Sequence, residues 1–268
     1  MTLLHHEITF CNFDGTYTMQ PRLLAASPHH WLDFSSVCGT NLYCSPEAFA
    51  HIRNQLNTLP ESGLTFLGSG NYHYATLALL LNIRRPFSLI LFDHHTDLQK
   101  GSIGHMLSCG SWVRHALKEL KHLRKTMIIG PEPPAWQMDA YTERQRVTVL
   151  SEHGLTTPQQ LLASIPTDTI YISIDKDLLS SHDAKTNWHQ GTMPIKKLLT
   201  FIRALIRDRR VEGLDVCGEW PIRPYEHFDA QTRVWIQRNE QSNLAITRTF
   251  LKAKKQVAMP SIQSRNAI

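Results

Sequence analysis

The sequence predicts an α/β layered domain built around a mainly parallel β-sheet. Segments such as SLILF (88–92) and TIYISI (169–174) are almost continuously apolar, which is typical of parallel strands buried on both faces. Longer stretches with apolar residues at helical spacing separate these segments, as expected for crossover helices.

The predicted strands and helices alternate along the chain. Short apolar runs predict strands at Glu7–Phe13, Leu64–Gly68, Ser88–Asp93, Thr126–Ile129, Val147–Leu150, Thr169–Asp175 and Val211–Val216. Helical spacing predicts helices at Pro46–Asn57, Tyr72–Asn82, Ser111–Leu123, Thr157–Ile165, Pro194–Asp208 and Ala230–Lys254. No repeat or linker interrupts the alternation, so we expect a single domain over residues 1–268, with a flexible or oligomer-forming tail at 255–268.

Composition argues against several classes of protein. The net charge of +5 comes from scattered residues, 28 Lys+Arg against 23 Asp+Glu, so we expect no nucleic-acid partner. No apolar run reaches the roughly 18 residues of a membrane span. The start, MTLLHHEITF, lacks the features of a secretory signal, so we expect a cytoplasmic protein without membrane contact. Five dispersed cysteines argue against a disulfide framework and against a structural zinc site.

Polar side chains crowd at the carboxyl ends of three predicted strands. Ligands of α/β proteins bind at this edge of the sheet, because the loops there converge. Residues two apart in extended backbone project to the same side, so each strand end can offer its side chains together. If the three ends are neighbours, six potential metal ligands share one crevice: His73, Asp93, His95, Asp97, Asp175 and Asp177.

The chemistry of these side chains favours a metal site. Each motif alone has a simpler explanation, since a D-x-D after a strand is often a turn or a helix cap. Four carboxylates together would repel each other strongly in a cleft unless divalent cations lie among them. Carboxylates with imidazoles and no thiolate suit Mn²⁺ or a similar borderline-hard cation.

Five motifs resemble those of the arginase/agmatinase (ureohydrolase) family, and they occur in the family's order. FDHHTD (92–97) is similar to D-x-H-x-D, and SIDKDLL (173–179) to S-x-D-x-D. LGSGNYH (67–73) resembles the family's L-G-G-D-H turn in a longer form. SCGSWVRHAL (108–117) resembles S-H-G-x-x-x-R-x-A, and GLDVCGEWP (213–221) resembles D-x-x-E-x-x-P.

The resemblance implies a three-layer α-β-α sandwich with a central parallel sheet, as in arginases and deacetylases. It implies that the six ligands hold two Mn²⁺ per chain, or other divalent cations. The implied reaction is hydrolysis of a C–N bond in a small cationic guanidino, amidino or formimino compound by a metal-bridging hydroxide, with Asp97 as acceptor of the proton. A homo-oligomer is implied as well.

Two positions depart from the family pattern. Cys109 stands where the S-H-G segment has histidine, and its thiol is an inert, cavity-shaping side chain, a proton donor or a nucleophile. His94 or His105 is then a candidate proton relay. The acid of D-x-x-E arrives one residue late, as Glu219, so either a bulge at Gly218 realigns it towards substrate or the contact is lost.

The segment DAKTNWHQGTMP (183–194) follows the second aspartate motif and is expected to line the cleft. With His94 and Glu219, its residues Trp188, His189 and Gln190 are candidate substrate contacts. The alternative is that Trp188 only packs and His189 is exposed.

Two other functions remain open from the sequence. One is an amide or deacetylase-type hydrolase that uses a single zinc ion. The other is a non-catalytic descendant that binds metal or a small ligand, which the changes at Cys109 and Glu219 favour.

Overall fold

A central parallel sheet organises the structure, a computed structural model that describes residues 7–59, 63–100, 106–132, 145–154 and 157–258. The strands are β1 (Ile8–Asn12), β2 (His30–Asp33), β3 (Tyr43–Cys44), β4 (Leu64–Phe66), β5 (Phe87–Phe92), β6 (Leu107–Ser108), β7 (Leu123–Gly130), β8 (Val147–Ser151), β9 (Thr169–Asp175) and β10 (Arg210–Cys217). Within the described residues, eight of them form one sheet in the order β2-β1-β4-β10-β9-β5-β7-β8. All neighbours in it are parallel, whereas β3 and β6 form a separate antiparallel pair.

Helices cover both faces of this sheet. They are α1 (Pro21–Leu24), α2 (Pro46–Leu56), α3 (Thr76–Leu80), α4 (Trp112–Glu119), α5 (Pro158–Ser164), α6 (Ile195–Asp208) and α7 (Ala230–Ala258). Short 3-10 turns lie at Thr16–Met19, Gly70–Ala75, Lys176–Leu178 and Pro224–Phe228. No helix among the described residues has both the length and the apolar character needed to cross a bilayer.

The core lies in two layers, one on each face of the sheet. In β5, Ile90 and Phe92 pack into the layer beneath α5, α6 and α7. Leu89 and Leu91, which alternate with them, pack into the layer beneath α2, α3 and α4. This alternation explains why the strand is apolar at consecutive positions, and it confirms the predicted three-layer α-β-α architecture.

The helix starts follow from local capping. Ser45 Oγ accepts a hydrogen bond from the amide of Ala48 at 3.2 Å, with Pro46 in the first turn of α2. Thr157 and Gln160 form a capping box at the start of α5. Helix α7 continues to Ala258, so the predicted tail begins inside a helix, and residues 259–268 lie outside the described part of the chain.

The order of the strands decides whether the predicted ligands can meet. The three motif-bearing strands are β4, β9 and β5, and β10 lies between β4 and β9. Four adjacent strands therefore present their carboxyl ends to one crevice at the middle of the sheet.

Candidate metal centre

The six predicted ligands come together at this crevice. His73 reaches it from the 3-10 turn after β4, while Asp93 and Asp175 lie at the ends of β5 and β9. His73 Nδ1 lies 3.2 Å from Asp97 Oδ2, 3.3 Å from Asp93 Oδ2 and 3.6 Å from Asp175 Oδ2. Beside it, His95 Nδ1 lies 2.7 Å from Asp177 Oδ2 and 3.6 Å from Asp93 Oδ1.

Two of the groups that the ligand atoms form share one carboxylate. His73, Asp93 and Asp97 offer atoms that all lie within 4.8 Å of one another, and so do Asp93, His95 and Asp177. Asp93 turns Oδ2 to the first group and Oδ1 to the second. Its buried Oδ2 has no hydrogen-bond partner among the described residues. A carboxylate placed between two such groups fits a pair of bridged divalent cations.

The pKa values of these side chains show that holding the carboxylates close together has an electrostatic cost. Burial and the charge of Asp93 raise the pKa of Asp97 to about 6. Burial and the charge of Asp175 raise the pKa of Asp177 well above its usual range. Burial opposes protonation of His95, but hydrogen bonds with Asp177 and Asp93 outweigh it and raise the pKa of His95 to about 11. In the absence of cations, protons on these groups therefore offset the repulsion.

The ring of His73 is oriented by Ser173 and Asp215, which lie on its Nε2 side. Ser173 Oγ donates to Asp215 Oδ1 at 2.7 Å and lies 2.9 Å from His73 Nε2. Because the serine has only one proton, it must accept from Nε2–H. In the neutral ring, Nδ1 then carries a lone pair that points at the carboxylates, which is the form that binds a metal.

Local backbone features complete the site. Asp97 has φ of 51°, a left-handed conformation that aspartate tolerates better than most residues. Trp112 Nε1 donates to Asp97 Oδ2 at 2.6 Å and fixes that oxygen beside His73. A Cβ at Gly70 would lie 2.8 Å from Asp175 Oδ2, so glycine is required for the turn to pass this close.

A cavity of about 200 Å³ opens onto the ligands. Its lining consists of Leu42, Tyr43, Gly70, His73, Asp93, His95, Asp97, Gln99, Ser108, Cys109, Gly110, Asp175, Asp177 and Trp188. The β3–β6 pair supplies Tyr43 and Ser108, and the amide of Cys109 donates to the carbonyl of Leu42 at 3.0 Å. The cavity has room for a small molecule only.

Comparison with known proteins agrees with this geometry. A sequence profile of the arginase family matches residues 19–232. The chain belongs to the arginase family. An uncharacterized protein of Thermotoga maritima is 32% identical to it over 240 residues, which are 90% of this chain and 88% of the relative.

Solved structures similar to this arginase-family chain include a hypothetical agmatinase from Burkholderia thailandensis. It has a TM-score of 0.65 and 18% identity, and the match covers 96% of this chain and 88% of the agmatinase. Formimidoylglutamase from Bacillus subtilis has a TM-score of 0.62 and 15% identity, over 92% of this chain and 88% of that enzyme. At such low identities these likenesses support the shared fold.

Cys109 and Trp188 lie where the sequence predicts them, in the lining of this arginase-family cavity. Burial and the charge of Asp97 raise the pKa of the Cys109 thiol to about 12, so it is protonated at neutral pH, which argues against a nucleophilic role. Trp188 packs edge-on against the ring of His95, with centroids 5.9 Å apart, and donates to Asn71 Oδ1 at 3.0 Å.

The other candidate substrate residues do not line the cavity. Gln190 donates to the carbonyls of Leu179 and Ala184 and so holds its own loop together. His189 is exposed. The amide of His94 donates to Asp177 Oδ1 at 3.0 Å, which orients that ligand, while its ring packs against His95. The second relay candidate, His105, lies outside the described residues.

Glu219 lies in the core and not in the lining of the cavity, where the predicted substrate contact would require it. Gly218 has φ of 87°, and beyond it the Glu219 side chain turns into the core, where it is 1% exposed. Lys176 Nζ and Asn243 Nδ2 both donate to Oε1, and Gln20 Nε2 donates to Oε2 at 2.8 Å. Because both oxygens are engaged by the chain's own donors, this position argues against a substrate contact.

Several residues that shape the site are not among the functional residues predicted from the sequence. Ser173, Lys176, Asp215 and Cys217 lie inside the quoted motifs, and Trp112 follows Cys109 by three positions. The signal that finds Ser173, Asp215 and Cys217 is the period of two in strands. It places Ser173 on the same side as Asp175, and Asp215 on the same side as Cys217.

Proposed function

We propose that this chain is a metal-dependent hydrolase that cleaves a C–N bond of a small guanidino, amidino or formimino compound. One observation carries the proposal: paired groups of imidazole and carboxylate ligands share Asp93 at the floor of a small cavity. Membership of the arginase family supports the same reaction class, and so do the names of the similar structures, an agmatinase and a formimidoylglutamase.

The donor set suits two divalent cations, and we propose Mn²⁺. The first would be held by His73, Asp93, Asp97 and Asp175, and the second by Asp93, His95 and Asp177. Oxygen and imidazole donors suit this ion. When bound, the ions would supply a water molecule of lowered pKa as the nucleophile. The single-zinc alternative has less support, because the ligands form more than one group.

Residues of the chain then position the reactants and move the proton. Asp97 is the proposed proton acceptor, since its carboxylate faces the cavity and the Trp112 indole holds one of its oxygens in place. Trp188 and Tyr43 are proposed to flank the planar carbon group of the substrate. Cys109 is proposed to shape the cavity as a neutral thiol. The proposed substrate is cationic, as membership of the arginase family and the similarity to an agmatinase suggest.

An assay on the whole protein tests this proposal. Protein loaded with Mn²⁺ would be offered a panel of guanidino, amidino, formimino and simple amide compounds, with release of urea, ammonia or amine as the signal. The proposal expects turnover of at least one member, lost in Asp97→Asn. Protein that holds two ions per chain and turns over no member would contradict the hydrolase assignment.

A further inference from the structure

Cys217 lies at the floor of the metal centre, although neither the sequence reasoning nor the proposed function uses it. It is the last residue of β10, the strand between β4 and β9. Its Sγ donates to Asp175 Oδ2 at 3.2 Å, and that same oxygen lies 3.6 Å from His73 Nδ1. His73, Asp175 and Cys217 thus form a further group whose ligand atoms all lie within 4.8 Å of one another.

This group is enclosed by protein and faces an unsatisfied acceptor. All three side chains are buried. Asp93 Oδ2 lies 3.3 Å from the same His73 nitrogen, is buried, and has no hydrogen-bond partner within the described ranges. A cation held by His73 would therefore lie near Asp93 Oδ2, which lacks a hydrogen-bond partner there, and near the sulfur of Cys217.

We propose that Cys217 is a sulfur donor to the cation held by His73 and Asp175, so that the affinity of this position for thiophilic divalent ions such as Zn²⁺, Co²⁺ and Cd²⁺ gains more from the sulfur than its affinity for Mn²⁺ does. Thiolate is the softest donor that a protein offers, and it selects these ions. The thiol proton passes to water when the metal–sulfur bond forms. The inference rests on the metal-binding part of the proposed function and is independent of hydrolysis.

Absorption spectroscopy of the Co²⁺-loaded protein tests the inference, because a cobalt–thiolate bond gives a near-ultraviolet charge-transfer band that nitrogen and oxygen ligands do not give. Wild-type protein is expected to show the band, and Cys217→Ser to lose it while still binding Co²⁺. Cys109→Ser is the matched control, since it removes the other thiol at the centre, and it should keep the band.

Competition between metals gives a second readout. Removing even an outer partner of a metal ligand typically costs about 10–100-fold in affinity. Cys217→Ser should therefore weaken Cd²⁺ binding at least about 10-fold, and Mn²⁺ binding by clearly less, because Mn²⁺ gains little from sulfur. A variant that weakens both ions equally would mean that Cys217 only donates a hydrogen bond to Asp175, which overturns the inference.

Zinc absorption-edge spectroscopy on Cys109→Ser, in which Cys217 is the remaining thiol at the centre, keeps the inference testable if Cys217→Ser does not fold. A sulfur scatterer at about 2.3 Å from the zinc supports it, and a shell of nitrogen and oxygen alone overturns it. In that second case the ions are still bound, so the proposed hydrolase survives. Failure of the wild type to bind any divalent ion would remove both.

Discussion

The buried pair of Lys176 and Glu219 gives the most direct test of how the turn that carries Asp175 and Asp177 is held. Lys176 lies between Asp175 and Asp177 in sequence, and its side chain is fully buried against Glu219. Substitution Lys176→Met keeps the length and most of the apolar volume, so the change removes charge with little cavity formation. The carboxylate would then be left with only the amide donors of Gln20 and Asn243.

We expect Lys176→Met to lower the free energy of unfolding by about 3–5 kcal/mol, the usual result of leaving one partner of a buried ion pair alone. The matched variant Glu219→Gln leaves the ammonium uncompensated and should cost a similar amount. The double variant removes both charges and should cost less than the two losses added together, with a coupling of up to about 3 kcal/mol.

Urea unfolding of the metal-free protein, followed by circular dichroism, measures these differences without the added stabilisation from bound ions. A loss below about 1 kcal/mol in Lys176→Met would be of the size found for exposed pairs, and would refute the buried ion pair. Losses that simply add in the double variant would refute the direct contact between the two side chains.

Three further predictions concern the candidate metal centre and its stability. Ser173→Ala should weaken Mn²⁺ binding about 10–100-fold in calorimetry, because the His73 ring loses its partner; the buried control Ser88→Ala should change it little. Gly70→Ala should lower stability by about 1–3 kcal/mol in urea unfolding, since its Cβ would lie 2.8 Å from a ligand oxygen; an unchanged midpoint would contradict the close approach. The metal-free protein should lose stability as pH rises. Folding raises the pKa of Asp97 from 3.8 to about 6 and the pKa of His95 from 6.5 to about 11. Both groups therefore bind protons more tightly in the folded state than in the unfolded state, and that stabilisation is lost as the pH rises through the folded-state pKa values. Added Mn²⁺ should therefore raise the melting temperature more at about pH 8 than at about pH 5, and an equal shift at both would contradict the competition between protons and cations.

The strands of the central sheet could be predicted because burial on both faces leaves a strong signal. β5 and β9 are apolar in consecutive positions, and the predicted bounds agree with the structure to within one residue. β2 was missed, since it is an edge strand with alternating half-buried and exposed residues and includes charged Asp33. The predicted helix Tyr72–Asn82 is a 3-10 turn followed by the short α3, because the chain must tighten to bring His73 to the ligands.

The gathering of the six candidate ligands could be predicted because the chain topology places them together once the strand order is known. The position of Glu219 could not, since it depends on a side chain from another strand. The period of two in an extended backbone predicts that Lys176 points away from Asp175 and Asp177, into the core. A buried ammonium group is costly unless an acidic side chain pairs with it. The loop contacts of Gln190 depend on a backbone path that no periodicity encodes.

The buried ion pair of Lys176 and Glu219 also limits how cations can reach the candidate ligands. The turn that carries Asp175 and Asp177 cannot swing outward without pulling an ammonium group away from its acid, so this rim of the crevice does not act as a gate. We expect cations to enter past Tyr43 and Trp188, which line the cavity and are half-buried. The speed of ion exchange should then depend on the aromatic bulk at that entrance rather than on the mobility of the aspartate turn.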